Sequence, residues 1–191
     1  MCRFLAAYGT ATKAGQMMNI PSTITAPNVL NLFLIRLSFY LCQKKPMPLI
    51  TASRTHADYG MTITDVTGNS MMIDIPISEG GTGKGMRPMQ TLLAAFCGCS
   101  AVDVVSILKK QKQEITDLQI LVDGEREHGK EPSVWQTVDL HFKLKGEIDA
   151  AKAYRAVQLS VDKYCSVAET LRLAGATISF KVFVNDVEQM N

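Results

Sequence analysis

Histidine and cysteine are scarce in this 191-residue chain, with three of the first and five of the second. A small, odd number of cysteines does not build the disulfide framework of a secreted domain, so free thiols in a reducing, cytoplasmic setting are expected. His56, His128 and His141 are not spaced as a ligand pair, and no metal site is expected. Acidic residues are missing from positions 1–52, which carry five basic ones: Arg3, Lys13, Arg36, Lys44 and Lys45. The remainder holds 15 basic against 18 acidic residues, a balance that gives no footprint for nucleic acid. Long apolar runs are missing from that leader as well. Its longest, Val29 to Cys42, is too short for a bilayer and is broken by Asn31 and Arg36, so no membrane partner is expected.

What is present is ordinary globular composition, 47% hydrophobic and 20% charged, which predicts one domain of moderate size. The basic leader, residues 1–52, is read as separate from a domain spanning 53–191. It is either an organelle transit peptide or upstream sequence preceding a start at Met47, and the second reading is preferred.

Within the domain, Met61 and Ile63 alternate with threonines, and Met71, Ile73 and Ile75 follow after a Thr67-Gly68-Asn69 turn, which predicts a hairpin. The glycines of Pro76 to Pro88 do not form a phosphate loop. Lys84 is followed by Gly85 rather than Ser or Thr, and Ser78 stands where the first glycine is required, so a surface loop is expected. Pro88 suits the first turn of a helix running to about Lys112, apolar all round and therefore expected at the buried centre. At 100° per residue, Leu92, Ala95, Phe96, Cys99 and Val102 fall on one side, and Leu93, Cys97, Val104 and Leu108 on the other. Cys97 and Cys99 then point apart and cannot chelate one ion.

A second hairpin follows, Leu118 to Val122 and Val134 to Leu144. Asp149 is placed to cap a helix ending near Tyr164, a shorter helix covers Cys165 to Leu173, and Ile178 to Val184 form the last strand. The fold class is α+β, with antiparallel sheets packed around one central helix. Trp135, Tyr154 and Tyr164 are read as packing residues, while Met86 and Met89 suit an apolar mouth.

The chemistry-bearing groups are two thiols on two helices, Cys99 and Cys165. Electrostatics alone favours Cys165 as the nucleophile, because helix N-terminal amides stabilise a thiolate, whereas Cys99 lies within an apolar helix and one turn before Asp103. Both thiols also suit a second reading, as small apolar core residues.

The stretch RPMQTLLAAFCGCSAVDVVSILKKQKQ, with Pro88 eleven positions before Cys99, together with DKYCSVAETLR around Cys165, resembles the OsmC/Ohr family, and within it the YhfA-type branch. The resemblance implies an intertwined homodimer that reduces organic hydroperoxides at the subunit interface. It also implies that Cys99 is the peroxidatic thiol and that Cys165 resolves its sulfenic acid as a disulfide. A dithiol such as a lipoylated protein is the implied reductant, with no metal or other cofactor. Where relatives have an activating glutamate after the proline, this chain has Met89 and then Gln90. Arg54 and Arg87 are the arginines available before Cys99 within the domain. Arg87, Arg54 and Gln90 are accordingly the candidates for activating the thiol or holding substrate. The alternative is a non-catalytic dimer of the same fold that binds a small hydrophobic ligand or senses redox state through its thiols.

Overall fold

The computed structural model describes residues 49–190. The leader's apolar run, Cys2, Cys42 and the start at Met47 lie outside the described residues. The described residues form two sheets and three α-helices. The first sheet holds β1 (Ile50–His56), β2 (Gly60–Asp65) and β3 (Ser70–Ile73), all antiparallel in the order β1-β2-β3. β1 straddles the expected boundary at 52/53. It has no apolar periodicity, and it forms by pairing with β2, Ala52 opposite Ile63 and Arg54 opposite Met61.

Helix α1 (Pro88–Lys110) begins as expected at Pro88. The Gln90 side-chain oxygen accepts from the Arg87 N–H at 3.1 Å, occupying a donor that the helix leaves without a partner. Lys109 and Lys110 sit in the last turn, where a cation favours the carbonyl end, and Lys112 turns the chain out at φ 57°.

The second sheet, in the order β4-β5-β6-β7, comprises β4 (Glu114–Arg126), β5 (Trp135–Glu147), β6 (Thr177–Val184) and β7 (Val187–Gln189). Between β5 and β6 the chain passes through α2 (Ala150–Leu159), a π-helical turn (Ser160–Tyr164) and α3 (Ser166–Leu173). A crossover of that length returns the chain to its starting end, so β5 and β6 pair in parallel, Leu140 opposite Phe180, in an otherwise antiparallel fold. The Asp149 side chain caps α2 as its sequence position predicts, accepting from Lys152 N at 2.9 Å.

The core lies between α1, the inner face of β5, and α2 with α3. Phe96, Val104 and Leu108 meet Val138, Leu140 and Phe142, closed by Ala153, Ala156, Val157 and Ala168. Leu93 and Phe96 share this buried face rather than opposing each other, because a 300° step closes to within 60° over three residues. The expectation that α1 is buried all round fails within one chain. Leu92 and Val102 are exposed on its other side. Its length and apolarity would also suit a bilayer span, but its buried face packs on β4 and α2.

Candidate functional site

Cys165 is placed by the turn before it. In the Ser160–Tyr164 turn the Cys165 N–H reaches the Ser160 carbonyl five residues back, at 2.9 Å, a π-type bond that widens the helix by one residue. Cys165 thereby becomes the N-cap of α3, its sulfur accepting from Ala168 N at 3.5 Å, and the residue is buried.

The neighbour that matters is on α1. The Cys99 side chain lies against the Cys165 thiol, and both cysteines are free thiols. Burial pushes the Cys165 thiol above the usual thiol range, the adjacent Cys99 pushes it further, and the Ala168 N–H and the Ser100 hydroxyl pull weakly the other way. The advantage that Cys165 was expected to draw from its helix N-terminus is therefore outweighed by desolvation.

Three polar side chains complete the seam between α1 and the turn. Ser160 Oγ donates to the Asp103 carboxylate at 3.1 Å and lies 3.4 Å from the Ser100 carbonyl. The Asp103 carboxylate is thus bound by a hydroxyl from the facing element. Ser100 Oγ is buried without a hydrogen-bond partner among the described residues, on the α1 side of the seam. Ser100 and Ser160 carried no signal in the sequence, since a serine inside an apolar helix reads as neutral filler. A cavity of about 250 Å³ opens over Cys165, lined by Tyr164, Ser166, Glu169 and Arg172 among others.

The other sequence candidates stand elsewhere. Arg87 is the N-cap residue of α1, exposed, twelve residues before Cys99, and Gln90 is engaged in capping it. Arg54 is exposed on β1. Cys97 faces away from the pair, its pKa raised by burial. Of the aromatic residues, Tyr154 packs against Phe180 with ring centroids 5.8 Å apart and Trp135 is buried, while Tyr164 is exposed with the Lys163 ammonium over its ring.

Residues 81–181, which contain α1, both cysteines and the crossover, match the family model described as OsmC-like protein. The chain belongs to the OsmC-like family. Protein YhfA of Escherichia coli K12 is 40% identical over 109 residues, covering 56% of this OsmC-like chain and 81% of that protein. Among solved structures, a hypothetical protein from Aquifex aeolicus superposes with a TM-score of 0.61 at 27% identity, covering 73% of this chain and 98% of that one. An organic hydroperoxide resistance protein from Legionella pneumophila has the same fold, with a TM-score of 0.54 at 17% identity, over 74% of this chain and 98% of that one.

Proposed function

We propose that this OsmC-like protein reduces organic hydroperoxides through Cys99 and Cys165, as an intertwined homodimer. The observation that carries the reading is the juxtaposition of the two free thiols across the α1 seam, in a family with members named for organic hydroperoxide resistance. The Cys99 thiolate attacks the O–O bond of ROOH, taking one oxygen as a sulfenic acid and releasing the alcohol ROH once a proton is supplied. The Cys165 thiol then condenses with the sulfenic acid, forming the disulfide and releasing water. An external dithiol, a lipoylated protein by family analogy, returns both sulfurs to thiols and leaves as its own disulfide. A Cys165 thiol held protonated by burial suits the resolving role, since it does not compete for the peroxide.

The dimer is supported by what one chain leaves uncovered. Leu92 and Val102 on α1 and Ile50 and Met71 on the first sheet are exposed apolar side chains, and no strand of that sheet packs extensively on the helices among the described residues. A second copy covering them completes the core. The fold, in this reading, works in the cytoplasm.

The test is consumption of cumene hydroperoxide with dihydrolipoamide as reductant. Cys99→Ser should abolish turnover, and Cys165→Ser should leave a single oxidation event per chain. Turnover surviving Cys99→Ser would sink the assignment.

A further inference from the structure

A second cavity, of about 340 Å³, lies at the start of α1, away from the thiol pair, and its walls are of two kinds. Ile75, Met89 and Trp135 give the lining its apolar part, and Arg87 and Arg126 give it two cationic residues. The size is at the lower end of the range for small-molecule sites, roughly 300–1,000 Å³.

Several features build this cavity rather than leave it by default. The Trp135 ring lies against Gly124, where an added Cβ would come 3.1 Å from the indole and 2.8 Å from the Thr137 carbonyl oxygen, so only glycine seats the ring there. The indole N–H is tied to the Met89 carbonyl at 3.3 Å, joining β5 to the first turn of α1. Arg126 is anchored by one Nη2–H to the Ser133 carbonyl at 2.7 Å, leaving its other donors to the cavity. Neither Arg87 nor Arg126 makes an ion pair among the described residues. Glu79, the carboxylate on the rim, is likewise unpaired there. Two arginines with donors to spare, in one cavity with an aromatic ring, match a ligand with a carboxylate at one end and a short apolar body.

We propose that this cavity is a binding site for a small amphiphilic carboxylate. Arg87 and Arg126 hold the carboxylate, and Trp135, Met89 and Ile75 cover the apolar part. The site does not depend on the thiol chemistry and stands or falls separately from it.

Trp135 is the sole tryptophan of the chain, so its fluorescence reports on the cavity without a label. The full-length protein is titrated with sodium octanoate and, in parallel, with 1-octanol. The expected result is a saturable change with octanoate and affinity for the alcohol at least about tenfold lower, the weight of charge-assisted hydrogen bonds. Arg87→Gln and Arg126→Gln should each weaken octanoate by about tenfold while leaving octanol unchanged, and Glu79→Gln should tighten octanoate. Unaltered far-UV circular dichroism of each variant separates loss of the site from loss of the fold. Cys99→Ser should bind octanoate as the parent does, even where peroxidase turnover is gone. No saturable signal, equal binding of acid and alcohol, or octanoate affinity indifferent to both arginine substitutions overturns the proposal.

Discussion

Ser160 Oγ donates to the Asp103 carboxylate at 3.1 Å, pinning the π turn that precedes Cys165 to the helix that carries Cys99. The bond is part-buried and joins residues 57 positions apart. It is the most direct polar link between the two thiol-bearing elements, and it sets how firmly one sulfur is held against the other.

Ser160→Ala should therefore lower stability by about 1–3 kcal/mol, the cost of leaving an acceptor without its buried donor, and should slow formation of the Cys99–Cys165 disulfide after peroxide treatment. Urea denaturation measures the first effect and quenched-flow alkylation the second. A variant with normal disulfide kinetics would show that the turn is positioned by packing alone.

The raised pKa of Cys165 fixes a direction for pH dependence. A thiol whose folded pKa exceeds its unfolded value adds stability that is complete below the unfolded pKa, about 8.5, and is lost as pH rises through the folded one. The reduced protein should lose stability above about pH 8.5, and Cys165→Ala should flatten that slope. Cys99→Ala removes two of the three raising causes and leaves burial, the largest, so the Cys165 pKa should fall, readable by the pH dependence of iodoacetamide labelling in a Cys97→Ser background.

Asp74 organises the glycine-containing loop that leads into α1. Its buried carboxylate accepts from the Ile75 N–H at 2.8 Å, from the Thr82 N–H at 2.9 Å, from the Thr82 hydroxyl and from the Lys84 N–H at 3.4 Å. The Thr82 hydroxyl is the leading cause that holds the carboxyl at about 2. A depressed carboxyl adds stability that is present above its unfolded pKa, about 3.9, and is lost as pH falls toward 2. Asp74→Asn should reduce the pH dependence of stability across that acid window and increase proteolysis between Ile75 and Arg87. An acid titration indistinguishable from the parent would remove Asp74 from this role.

Val102 projects from the outer side of α1 with 67% of its surface exposed in one chain. If a second copy covers that side, Val102→Glu should convert a species of twice the chain mass into a monomer on light scattering, with loss of hydroperoxide turnover. The same elution mass for parent and variant would place the interface elsewhere.

Much of this architecture was legible in the residues. Pro88 starts α1, Asp149 caps α2, Lys109 and Lys110 close the long helix, and the alternation of Leu118 to Val122 and of Val138 to Leu144 marks the central strands. These features are local, so periodicity and capping report them directly. β1 was missed because Ile50, Ala52, Arg54 and His56 on one side and Thr51, Ser53 and Thr55 on the other give no apolar face. Its strand character comes from its partner. The site divides the same way. Cys99 and Cys165 stood out by type and position, whereas Ser100 and Ser160 acquire meaning only once α1 and the π turn meet.

The sequence by itself determined the long helix, the central strands, the family and the two sulfurs, because each is written in short-range pattern or in a continuous segment that needs no packing to be read. Only the tertiary structure decided which strands run parallel, that the Cys165 thiol is buried beside Cys99 with its pKa raised, and that Arg87, Arg126 and Trp135 line one cavity. Those depend on residues dozens of positions apart being brought into one volume, where desolvation and close contact, rather than chain neighbours, set the energy of a charge.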